Sequence, residues 1–168
     1  MSGQDRPEPP LVADERDTLT GFLDFLRATV VLKASGLTEE LARRAVIPSS
    51  PAMTVIGLVN HLRWVEWNWF AHAIGGAPGL PPWRLRDGDP EFEVPPETPL
   101  AEVLAEYERQ CLTSRGILAR NDLSATFTHD RLGTVSVRWV LTHMIEETGR
   151  HAGHLDLIRE LLDGVTGE

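Results

Sequence analysis

The feature that most restricts what this chain can fold into is the spacing of its apolar residues. Four long segments repeat them every three or four positions, and proline and glycine separate the segments. From Asp14 to Ser35, the residues Leu19, Phe22, Leu23, Leu26, Val30 and Ala34 share one helical face, which ends near Gly36. Thr38 can cap a short helix through Arg44, closed off by Pro48 and Pro51. A second long helix starts around Met53 or Thr54, carries Trp64, Trp67 and Trp69, and stops at Gly75 and Gly76. The third begins with Thr98 as N-cap and Pro99 as first helical residue, and runs through Asn121. Ser136 caps the fourth, which stops at Asp163 and Gly164. No strand pattern of comparable strength occurs, and residues 122–135 read equally as a small hairpin or an irregular loop. The spacing predicts an all-α four-helix bundle.

Residues 75–98 join the second and third long helices and are so dense in proline and glycine that no sustained helix or central strand can form. A connection of about two dozen residues far exceeds the usual median of about 4–6. It reads as a long crossover between helices 2 and 3 or as a functional segment. Trp83 within it is a candidate cover for a bound ligand, or a packed aromatic. At the other end, Pro7, Pro9 and Pro10 precede any large apolar side chain, so residues 1–12 read as a flexible leader. Residues 13–168 then form one domain, long enough to bury a core without covalent staples.

Charge and cysteine usage narrow the function classes. The net charge of −9 leaves no basic stripe to neutralise phosphates, which argues against nucleic-acid binding. Without an apolar run of about 18–20 residues or a charged-then-apolar start, the chain reads as cytoplasmic, with no membrane span and no secretion signal. The single cysteine, Cys111, excludes an internal disulfide and a multi-cysteine zinc module. It sits mid-helix among apolar neighbours and reads as inert packing. Six histidines remain to be explained.

Three of them crowd into HMIEETGRHAGH on the fourth helix. Four-residue spacing sets His143, Glu147 and His151 on one side, with about 40° of drift per step, and His154 follows. Val140, Met144, Leu155, Ile158 and Leu162 lie near the same azimuth, so Glu147 and His151 face the bundle interior. A carboxylate and an imidazole one turn apart can share one divalent ion. His61, on the apolar second helix, is the third candidate ligand; the competing reading makes it a hydrogen-bonded core histidine and Glu147–His151 a solvated i, i+4 pair. Three ligands of type His2Glu leave coordination positions open, as in a catalytic zinc site. The spacing matches neither the H-E-x-x-H helix nor the duplicated i, i+3 motif of di-iron bundles, which favours one ion over two. Arg63, Arg138 and Arg150 flank these residues as anion clamps or as surface salt bridges, and His72 and His129 have no assigned role.

The runs LVNHLRWVEWNWF and HMIEETGRHAGHLDLIRELLDG resemble the two signature segments of the DinB/YfiT-like superfamily, over residues 14–166. The resemblance is to its actinobacterial branch, related to the N-terminal domain of mycothiol-dependent maleylpyruvate isomerase. It implies a metal held by His61, Glu147 and His151, with glutamate then histidine on the last helix as in the isomerase-like branch. His154 departs from the pattern, since many relatives have glutamine there. No counterpart of the isomerase's C-terminal domain follows the fourth helix, so maleylpyruvate isomerisation is not implied.

These features lead to a divalent-metal-dependent enzyme of thiol-transferase type. The ion, zinc or else nickel, would hold a small thiol as thiolate for attack on a small electrophile. The resemblance implies mycothiol as that thiol, and a homodimer. The alternative is a non-catalytic, dimeric bundle that binds a metal or ligand.

Overall fold

The computed structural model describes residues 6–167; of the expected leader, residues 1–5 lie outside them. The described chain is mostly helical: α1 (Glu15–Ala34), α2 (Glu39–Ala42), α3 (Val55–Glu66), α4 (Leu100–Leu118) and α5 (Val137–Asp163). One hairpin, β1 (Thr126–His129) and β2 (Gly133–Ser136), is added to them in antiparallel register from Thr126↔Ser136 to His129↔Gly133. The hairpin decides between the two readings of residues 122–135. No helix of the described residues is long and apolar enough to cross a membrane.

Local chemistry starts and stops these helices much as the sequence reading expects. Asp14, Thr38, Thr54 and Ser136 each accept a hydrogen bond from a backbone N–H in the first turn of the helix that follows. Ser136 is thus both the last strand residue and the cap of α5. Gly164 ends α5 in the left-handed conformation, φ 75°, where a side chain would be strained. The expected start of α4 is displaced by one residue, because Pro99 and not Thr98 is the N-cap and offers no side-chain acceptor. The Leu100 N–H instead donates to Glu39 Oε1 at 2.9 Å, so an acid on α2 does the capping.

The long helices pack with α5 along α1 and α4 along α3, while α3 also meets α5. Two core clusters result. One gathers Val30, Leu58, Leu62, Tyr107, Leu155 and Ile158, and the other Leu23, Phe70, Leu118, Val140, Leu141 and Met144. Each large aliphatic side chain withdrawn from water contributes about 1.5–3 kcal/mol, which is what holds amphipathic faces together. Beyond Glu66 the helix widens into a π-helical segment, Trp67–Ile74, closed by Gly75 N–H donating to Phe70 O at 2.8 Å. The change of pitch falls where Trp69 and Phe70 are both buried.

The proline-rich connection contains two short 3-10 turns, Pro82–Arg84 and Pro90–Phe92. The second is fastened to α3. Asn60 Nδ2 donates to Glu91 O at 2.8 Å and to Glu93 O at 3.2 Å. A Cβ at Gly57 would lie 2.9 Å from Phe92 O and 2.7 Å from Ala52 O, so only glycine admits the connection this close to the helix.

Candidate metal centre

His61 comes from the middle of α3, and Glu147 and His151 from one turn of α5. The packing of α3 against α5 brings the three together across 86 residues of sequence. One oxygen, Glu147 Oε1, lies 3.2 Å from His61 Nε2 and 3.3 Å from His151 Nε2. One potential ligand atom from each residue falls within 4.8 Å of the other two. The imidazoles meet edge to face, 4.7 Å between centroids. Side-chain exposures of 12, 16 and 11% for His61, Glu147 and His151 describe a site that is sheltered yet reachable. Hydrogen bonds from His151 first, and then from His61, hold the Glu147 carboxyl far below the ordinary carboxylate range, overcoming the opposing effect of burial.

The donors fit a divalent ion. Two imidazole nitrogens and a carboxylate oxygen converge on one small volume, the ligand types and number that zinc accepts with positions to spare. Each of the three atoms has a lone pair that a cation could take once the imidazole protons facing that oxygen are displaced.

Around these three lies a second ring of side chains. His154 Nδ1 is 3.2 Å from His151 Nδ1, on the ring edge away from Glu147. Its pKa is lowered by burial and by the neighbouring His151 and Arg150. Phe92 stacks on His61 at 4.3 Å with the rings 13° from parallel. Glu91 Oε1 is 3.8 Å from His61 Nδ1. Periodicity could not have pointed to Glu91 or Phe92, because their connection has none. The only hint in the chain is the length of that connection. Trp83, the aromatic singled out there from sequence, packs with the second core cluster.

The expected stripe on α5 extends away from the three residues through His143 to Trp139, whose rings stack 5.1 Å apart. Trp69 meets both of them, and His129 stacks on Trp69 at 5.2 Å. His72 stacks on Trp67 and hydrogen-bonds Ala77 O through Nδ1 at 2.8 Å. All six histidines thus have defined neighbours, and among the described residues only His61 and His151 share a carboxylate with each other. The three flanking arginines form ion pairs: Arg63 with Glu106, Arg138 with Glu15, and Arg150 with Glu146. Two surface grooves lined by Arg63, Trp64 and Glu106 include none of the three convergent residues. Cys111 is buried, and burial, assisted by the charge of Glu66, pushes its thiol up to about 12. It cannot supply a thiolate near neutral pH.

Comparison with curated proteins finds no match. The family model of the mycothiol-S-transferases matches residues 18–164, a span that runs from the first turn of α1 past the end of α5 and includes all three convergent residues. The chain therefore belongs to the mycothiol-S-transferase family, a DinB-like family.

Proposed function

We propose that this protein is a divalent-metal-dependent S-transferase that activates mycothiol, or a closely similar low-molecular-weight thiol, toward a small electrophile. The observation that carries the reading is the meeting of His61, Glu147 and His151 within 4.8 Å, inside the span matched by a mycothiol-S-transferase family model. In this reading those three side chains hold the ion, zinc in the first instance and nickel in the second. When bound, the ion supplies Lewis acidity, which lowers the pKa of a thiol and so raises the nucleophilic fraction at neutral pH. The chain's own part is to present two imidazoles and one carboxylate from rigid helices. Glu147 stays ionised as a ligand should, and the sulfur comes from a diffusible thiol because Cys111 is kept protonated.

The same reading takes residues 13–168 as a four-helix bundle with the 75–98 segment as its crossover, acting in the cytoplasm as a homodimer. Its test has three parts. Elemental analysis of untagged protein should find about one divalent ion per chain, as expected of a single His2Glu site. Incubation with a panel of electrophiles should give metal-dependent conjugation with mycothiol in preference to glutathione. Sedimentation should give a species larger than the 18.7 kDa chain. Stoichiometric metal without conjugation of any electrophile would leave a metal-binding module in place of an enzyme.

A further inference from the structure

We propose that Glu91 positions His61, making the proline-rich connection a working part of the metal centre. The inference rests on the metal reading above and adds a residue outside the cluster of three, one to which the family match assigns no role. An imidazole that gives its Nε2 lone pair to an ion keeps its one proton on Nδ1. In His61 that nitrogen is buried and has no hydrogen-bond partner among the described residues. Facing it is Glu91, whose Oε2 is likewise buried and without a partner, and whose Oε1 is 3.8 Å from the nitrogen.

An unsatisfied donor thus faces a carboxylate that still has acceptor capacity, its Oε1 less than about 1 Å beyond hydrogen-bonding distance. The next acid along the connection, Glu93, is taken by Arg86 at 2.6 Å. The Glu91 backbone is held by Asn60, and the neighbouring Phe92 carbonyl lies against Gly57, so the carboxylate is delivered by a fastened segment. Phe92 fixes the plane of the His61 ring from one face while Glu91 fixes its edge. Together they select the Nδ1–H form and aim Nε2 at the shared volume.

The test compares the full chain with Glu91→Ala and Glu91→Gln. Three quantities are measured: zinc affinity by competition with a chromogenic chelator, the visible spectrum of the cobalt-loaded protein, and the thermal midpoint of the metal-free protein. Glu91→Ala should weaken zinc binding by about 10–100-fold, the usual loss when an outer partner of a metal-bound histidine is removed. It should alter the cobalt ligand-field bands and leave the metal-free midpoint unchanged. Glu91→Gln keeps an acceptor oxygen at the same reach and should recover most of the affinity.

Zinc affinity of Glu91→Ala within about twofold of the native chain would overturn the proposal, being well short of that usual loss. Equal weakening in both variants, accompanied by lowered metal-free midpoints, would also overturn it by showing a packing role. The metal reading has its own failure: a native chain that takes up no zinc at all sinks both. A native chain that binds normally while Glu91→Ala binds equally well sinks this inference alone.

Discussion

Glu66 and Glu147 are both carboxylates sheltered among the helices, and their surroundings differ in one respect that decides what each can do. Glu66, at the end of α3, is met by Arg27 from α1 through two hydrogen bonds of 2.7 Å, one to each oxygen. Side-chain exposures are 4% for Arg27 and 1% for Glu66. Glu147, on α5, is met by two imidazoles that both address the same oxygen, and it keeps 16% exposure. The Arg27–Glu66 pair is closed, because a guanidinium has no lone pair to offer and its fork saturates the carboxylate. The His61–Glu147–His151 group is open: each imidazole nitrogen can accept as well as donate, so the same three atoms can turn to a cation. Burial of an acid by itself therefore says little about function. What separates the two sites is whether the partners consume the lone pairs or add to them.

The contrast is most severely tested by removing one side of the closed pair. Glu66→Ala leaves the buried Arg27 with only the more exposed Asp24, 2.9 Å away, as counter-charge and should cost about 3 kcal/mol in urea unfolding, with zinc stoichiometry unchanged in the protein that remains folded. A cost below about 1 kcal/mol, the range of a surface pair, would erase the distinction. In the open site, His61→Ala and His151→Ala should each reduce zinc affinity by more than about 100-fold, beyond the loss typical of an outer partner. The metal-free protein should stay within about 1 kcal/mol of native, as expected when no buried charge is stranded. Loss of stability as large as that of Glu66→Ala would instead make the histidine cluster structural.

Acidity sharpens the comparison further, through two groups buried near the closed pair. Cys111 is raised from an ordinary value of 9.0 to about 12 in the folded protein, chiefly by burial; the charge of Glu66 adds to the shift and that of Arg27 opposes it. The folded state therefore holds the thiol proton more tightly than the unfolded chain does. Its contribution to stability is fully present below about pH 9 and is lost as pH rises toward 12, by about 1.4 kcal/mol per unit. Tyr107, raised well above its ordinary 10.0 chiefly by burial and next by Cys111, adds to the loss at the alkaline end. Denaturant unfolding at pH 8 and pH 11 should show this slope, and Cys111→Ala should flatten it. The smallest expected effect belongs to Phe92. Its replacement by leucine removes the stack on His61, worth about 0.5–1.5 kcal/mol, and should weaken zinc by several-fold at most. A loss equal to that of His61→Ala would mean that the stack, and not the nitrogen, holds the site.

Much of this arrangement is legible from local pattern. The i, i+4 placement of Glu147 and His151 follows from helical geometry once α5 is recognised, and the caps Asp14, Thr38, Thr54 and Ser136 stand where side-chain acceptors precede apolar runs. Placing His61 opposite them takes one further assumption, that an apolar helix turns its histidine inward. The Thr98 cap fails for an instructive reason: Glu39 reaches the Leu100 N–H from another element, and no local rule carries that information. The π-helical segment at Trp67–Ile74 escapes for the same reason, since its residues read as an ordinary helix and only their packing sets the pitch.

By itself, then, the sequence determined the helices, their buried faces and the pairing of an acid with a histidine on one turn of α5. Each of these depends on residues within a few positions of one another. Only the tertiary structure decided that Glu66 is neutralised by Arg27 while Glu147 is shared by two histidines, and that Glu91 and Phe92 reach His61 from a connection without periodicity. Helical spacing reports which side of an element is apolar. Which partner meets that side, and whether it closes a carboxylate or leaves it open, depends on contacts between elements distant in the chain, and those exist only once the helices have packed.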